Sequence, residues 1–198
     1  MTKSKYFSFC PFIDTLFCCM LMLVAILYLL KTEDNKDSRR PNTLYEVILT
    51  WKGDSEDDLD LYVKSASGHI VSFNNREGGQ GSLVSLNHDA LGKSRNNSLP
   101  RDLNGTVIGF NEEIVSFRGV VNGENIVNVH VYSKKDKNPT EATIELVQIK
   151  PFKQVVMKKR VFDSTGEEKT AFRFKTNIAG AVIEINELPT KLLNPLGL

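Results

Sequence analysis

Asp54, Glu56, Asp57, Asp58 and Asp60 crowd one short stretch of this sequence, while Asp14 stands alone inside an apolar run. These are the two places where residue type and spacing offer chemistry. Hard carboxylate oxygens gathered at a turn suit Ca²⁺, which takes about six to eight oxygen ligands. Asp58 and Asp60, two apart, project from one face of a strand, and Asp54 or Asp57 can close over them. Asp54, Asp58 and Asp60 are therefore the candidate Ca²⁺ ligands. The spacing is not that of an EF-hand loop, which needs a glycine and a terminal glutamate at fixed places. The competing reading is a solvated acidic edge whose repulsion Lys52 and Lys64 screen.

Asp14 interrupts "FCPFIDTLFCCMLMLVAILYLL", residues 9–30. A carboxylate at membrane depth costs about 2.5–3.5 kcal/mol, so such a residue faces protein or water and has a use. The residues alone leave two roles open. Asp14 carries a cation across the membrane, where one charge crossing 100 mV is worth about 2.3 kcal/mol. Alternatively, it sits at headgroup level and wets the helix end. At helical spacing its stripe continues through Cys18, Leu21 and Ala25, and small side chains let two helices approach closely in lipid.

Other chemistry finds no support in the residue pattern, and the expectation is a non-enzyme that requires no cofactor. No Gly-x-Ser-x-Gly elbow places a nucleophile, and Gly78-Gly79-Gln80-Gly81 lacks the Lys-Ser/Thr ending of a phosphate loop. His69, His88 and His130 are scattered, and Cys10, Cys18 and Cys19 all lie in the apolar run. With 25 basic and 24 acidic side chains there is no basic surplus for nucleic acid. Lys158-Lys159-Arg160 reads as a solvated strand face.

The elements that must position these residues follow from length and periodicity. Cys10 to Leu30 forms a helix of about 31 Å, the thickness of a hydrocarbon core, with Pro11 in the first turn where a missing N–H is tolerated. No small-x-small cleavage site follows Leu30, which favours a retained single transmembrane α-helix over a signal peptide. "KTEDNKDSRRPNT", residues 31–43, is a polar tether. Beyond it the period becomes two. Tyr45, Val47, Leu49 and Trp51 alternate with Glu46, Ile48 and Thr50, and short runs recur at 59–63, 69–74, 82–87, 113–117, 126–133, 142–149, 155–162, 170–177 and 181–185. Turns such as Asn122-Gly123 and Thr165-Gly166 divide them, and residues 92–104 read as a long loop. The pattern predicts an all-β antiparallel sandwich. The expected organisation is a tail at 1–9, a transmembrane helix at 10–30, a linker at 31–43 and the sandwich at 44–198. Charge around the helix slightly favours the sandwich inside, although a short tail before an exported domain is also common.

Pro11-Phe12-Ile13-Asp14, followed by about sixteen apolar residues, resembles the single transmembrane segment of the ExbD/TolR family, and the flagellar stator protein MotB has a related helix. The resemblance implies that Asp14 is the ion-carrying carboxylate. It implies a homodimer inside a pentamer of a MotA/TolQ/ExbB-type polytopic partner, with ion flow driving rotation. Thr15 stands where that family has an apolar residue. "WKGDSEDDLDLYVKSASGHIVSFNN" resembles the YfaP-like exported β-domains, whose later pattern continues here in Gly79, Leu83, Asp89, Gly92, Glu113-Ile114, Gly123 and Val129-x-Val131-Tyr132. Together the two resemblances imply a single-pass protein of a bacterial inner membrane. Its C-terminal domain would lie in the periplasm, facing an unknown periplasmic target. The rival expectation is a passive membrane-anchored binding or adhesion module.

Overall fold

Residues 10–33, 43–91, 103–104 and 109–193 are described by the computed structural model, and on its helix the described side chains are Pro11 and residues 13–27. The chain divides into two units, Met1–Pro41 and Asn42–Leu198.

In the first unit, helix α1 runs from Cys10 to Glu33, three residues past the expected end at Leu30, so residues 31–33 of the expected linker are helical. Residues 34–42 and the tail at 1–9 lie outside the described residues. Pro11 is the second helical residue, where no intrahelical N–H bond is lost. The Thr15 hydroxyl donates to the Pro11 carbonyl at 2.7 Å, so the polar group that departs from the ExbD/TolR pattern is satisfied within its own helix. Ile13, Leu16, Phe17 and every residue from Met20 to Val24 are exposed. Five consecutive residues at about 100° each point in every direction around a helix, so α1 is apolar on all sides. Among the described residues no helix is long and apolar enough to cross a membrane. The described side chains of α1 run unbroken only from Ile13 to Leu27, about 22 Å. The ends of the expected span, at Cys10, Phe12 and 28–30, lie outside them.

The described residues of the second unit form ten strands: β1 Tyr45–Lys52, β2 Asp58–Lys64, β3 Ile70–Val71, β4 Val84–His88, β5 Phe110–Phe117, β6 Gly123–Ser133, β7 Thr140–Gln148, β8 Lys153–Phe162, β9 Glu168–Thr176 and β10 Val182–Asn186. They form two five-stranded sheets, ordered β4-β5-β1-β7-β8 and β10-β9-β6-β2-β3, and every pairing is antiparallel. Alternation on β1 turns Val47, Leu49 and Trp51 inward, and Leu59, Leu61 and Val63 of β2 meet them with no exposed surface. Phe162, Phe172 and Phe174 complete one core.

Local signals shape the edges. The run expected at 69–74 yields only a two-residue strand, because Ser72 and Asn75 bond each other's backbone around a tight turn. Gly166, at φ 81°, supplies the left-handed residue of the β8–β9 turn. Of the expected loop at 92–104, a turn at 103–104 is described and the rest lies outside the described residues.

Candidate functional site

Strand β2 pairs with β6 along its length but with β3 only at Val63 and Lys64. The backbone edge of its first half, on the side away from β6, thus has no strand neighbour among the described residues, and a side chain from the opposite sheet reaches it. Glu113 lies on the inward face of β5, in alternation with Asn111 and Val115. Its Oε2 accepts the Leu61 N–H at 2.6 Å. An acid on the core face of a strand is costly unless it is paired, and Glu113 is only 1% exposed.

More carboxylates converge on this edge. Asp60, 3% exposed, flanks Leu61, and Asp89 lies just past β4. Asp89 Oδ2 holds Arg76 at 3.2 Å, and His130 Nδ1 of β6 stands 3.7 Å from Asp60 Oδ2. Three oxygens here, Asp60 Oδ2, Asp89 Oδ1 and Glu113 Oε1, are buried without a hydrogen-bond donor among the described residues. Burial, and then the charges of Asp60 and Asp89, push the Glu113 carboxyl well above its ordinary range; the Leu61 N–H opposes this without winning. Asp60 is raised by burial and by Asp89, with His130 pulling the other way. Tyr62, on the same strand, is pushed up to about 12 by burial and by Asp60, Glu113 and Glu168.

The rest of the acidic stretch is spread over other tasks. Asp57 has no exposed surface and organises the β6–β7 connection. It accepts the Lys134 ammonium at 2.7 Å, the N–H groups of Lys135 and Asp136 at 2.6 and 2.8 Å, and the Thr140 hydroxyl. Burial would raise its pKa, but these donors together bring it below the usual carboxylate value. Asp54 pairs with Lys52 at 2.9 Å, on the rim of an open cavity of about 790 Å³ lined also by Trp51, Phe110 and Asp136. Asp58 is half-buried at the start of β2, where a register shift against β6 falls between Asp58 and Leu59. Among the described residues, no three His, Cys, Asp or Glu side chains stand ready to hold one metal ion. Asp54, Asp58 and Asp60 are not such a group; Asp60 instead feels the charge of Asp89 and adds its own to that acting on Glu113. The alternation of β5 marks Glu113 as inward, and this signal was available in the sequence. Its partners lie 53 and 24 residues upstream, where no local pattern joins them.

Asp14, on α1, is exposed. Compared with known proteins, the chain matches no family model, no curated protein and no solved structure.

Proposed function

We propose that the chain is an ion-driven membrane motor subunit of the ExbD/TolR/MotB kind, with Asp14 as its ion-carrying group. The observation that carries this reading is a single acid, Asp14, among the described side chains of a helix that is apolar in every direction and exposed. Lipid, a second copy of the helix and a ring of polytopic MotA/TolQ/ExbB-type subunits would cover it. The full 24 residues of α1 measure about 36 Å, enough for a single pass. In this reading the residues before α1 are cytoplasmic and the sandwich is periplasmic, where it conveys displacement to a target beyond the inner membrane. Two copies of Asp14, sheltered from bulk water between paired helices, take up a cation on one side and release it on the other. The driving energy is about 2.3 kcal/mol per charge per 100 mV.

Asp14→Asn tests the reading in cells that carry the natural partner genes. Membrane insertion and abundance stay normal, while ion conductance through the purified complex and the driven process fall to background. Unchanged conductance and process would leave the rival reading, an anchored binding module. The observation favouring that rival is the cavity beside Trp51 and Lys52.

A further inference from the structure

We propose that the end of the sandwich around Leu44, where the chain enters it, docks on an anionic phospholipid surface through Phe152 and Ile178. The proposal rests only on the membrane placement of α1, which the motor reading and its anchored rival share, and not on ion transport. Three connections meet at this end: 118–122 between β5 and β6, 149–152 between β7 and β8, and 177–181 between β9 and β10. Leu44 and Tyr45 tie them together. The Leu44 carbonyl accepts the Ile149 N–H at 2.9 Å, and the Leu44 N–H donates to the Phe117 carbonyl at 2.7 Å. The Tyr45 hydroxyl donates to the Gly180 carbonyl at 2.6 Å. The Gly180 turn packs on both neighbours: a methyl added there would stand 3.0 Å from Val120 Cγ2 and 3.9 Å from Leu44 Cδ1.

Each connection shows an apolar side chain to solvent, with Phe152 78% exposed, Ile178 85% and Val120 40%. At Ile178 the exposure is built in. Asn177 Oδ1 accepts the N–H groups of Ala179 and Ala181 at 3.0 Å each, and the Gly180 N–H closes on the Asn177 carbonyl at 2.9 Å. Ile178 is thus held out on a pinned turn. Charge selects the occupant. Residues 118–122, 149–153 and 177–181 carry Arg118, Lys150 and Lys153 and no acid. Apolar side chains among cations suit a membrane interface, where the former enter the acyl boundary and the latter meet anionic headgroups. A protein partner calls for a continuous apolar patch with a polar rim, whereas Phe152 and Ile178 stand on separate turns. The tether agrees. From Glu33, the last residue of α1, to Thr43 the chain spans about 36 Å at full extension, and it ends beside these turns.

The test places the full chain in nanodiscs containing phosphatidylglycerol, with acyl-chain bromine as a quencher of tryptophan. Trp51, buried near the far end of β1, gives a constant background. Phe152→Trp and Ile178→Trp each add a probe at the docking end. Phe110→Trp is the matched control, since Phe110 is 68% exposed and pairs with Lys52 at the opposite end. The emission added by Phe152→Trp and by Ile178→Trp should shift blue and lose about half its intensity to bromine, as insertion at the acyl boundary requires. That added by Phe110→Trp should not change. In the Ile178→Trp chain, Lys150→Glu with Lys153→Glu should cut the quenching several-fold, as should discs of phosphatidylcholine alone. The proposal is overturned if the two probes are quenched no more than the control, whether they stay open to aqueous acrylamide or are shielded by a second copy or another protein. It is equally overturned if quenching survives both charge reversal and removal of the anionic lipid. Neither failure touches the motor reading, which the conductance of Asp14→Asn tests separately.

Discussion

Asp57 and Glu113 are both carboxylates withdrawn from water, yet their surroundings push them in opposite directions. Asp57 meets four donors, so its ionised form is favoured. Its stabilisation is present above its ordinary pKa near 3.8 and is lost as pH falls through the lower value it has when folded. Glu113 meets one N–H and two like charges, so its neutral form is favoured. Its contribution is full below its ordinary value of 4.5 and is lost as pH rises through the higher folded value. The groups facing Glu113 are Asp60 and Tyr62 of β2 and Asp89; His130 of β6 lies beside Asp60 and Arg76 pairs with Asp89. The sandwich should therefore lose Tm as pH rises above about 4.5. Glu113→Gln, which keeps the shape and removes the titration, should flatten much of that loss, with the raised Asp60 retaining a part. Equal slopes for the two proteins in a calorimetric pH series would refute this account. Composition and order announced the acids but could not sort them. Lys134, Lys135, Asp136 and Thr140 lie about 80 residues from Asp57, and only the folded sheets bring them together. The resemblance to YfaP-like domains did include Asp89 and Glu113, though as places in a pattern and not as interacting acids.

At the level of strands, the sequence was much more legible. All ten strands fall on runs visible in the period-two pattern, because each needs one buried face and a turn residue at its end, and both are local properties. What was not visible is how irregular pairing is repaired. The basic triplet Lys158-Lys159-Arg160 reads as a solvated face, and Lys158 and Lys159 do pair with Glu187 and Glu141. Arg160 does something else. Strand β10 covers β9 only from Arg173 to Thr176, and the β6–β9 register shift between Val127 and Asn128 pairs Phe172 and Thr170 but skips Ala171, so neither Thr170 nor Ala171 has a partner on β10 and Ala171 has none on β6. The Arg160 guanidinium reaches across from edge strand β8, donating to the Thr170 carbonyl at 3.2 Å and the Ala171 carbonyl at 2.8 Å, and meets Glu187 at 2.5 Å. It thus joins the two sheets at the edge opposite Glu113. Arg160→Ala should lower stability by about 2 kcal/mol, in keeping with lost hydrogen bonds to a charged group. Arg160→Lys should recover less than half of that, since a single ammonium cannot reproduce the fork. Urea midpoints of the three proteins at matched m-values decide it; full rescue by lysine would reduce Arg160 to a point charge.

For the whole molecule, the decisive contrast is between a unit with a closed apolar core and a helix whose described apolar side chains are all exposed. In the sandwich, Trp51, Leu59, Leu61 and Phe162 have almost no exposed surface, and the described core residues all belong to the second unit. On α1, ten large apolar side chains between Ile13 and Leu27 are each roughly half to two-thirds exposed. Fully burying one such side chain is worth about 1.5–3 kcal/mol, whereas a carboxylate at membrane depth costs about 2.5–3.5 kcal/mol. In the proposed motor reading, that apolar gain exceeds the penalty of Asp14 several-fold, which favours transfer of the helix to lipid despite its acid. Residues 43–198 produced alone should accordingly be soluble and unfold in one transition. Trp51 is the single tryptophan, 1% exposed, and its Nε1 donates to the Asp57 carbonyl at 3.1 Å. Its emission should shift red at the same urea concentration at which the β-sheet circular dichroism is lost. The full chain, carrying α1, should sediment with membranes and resist extraction by high salt. If residues 43–198 aggregated, or if the two probes separated, the sandwich would lack a self-sufficient core. If salt released the full chain, the apolar surface of α1 would be covered by something other than lipid or a membrane-embedded partner.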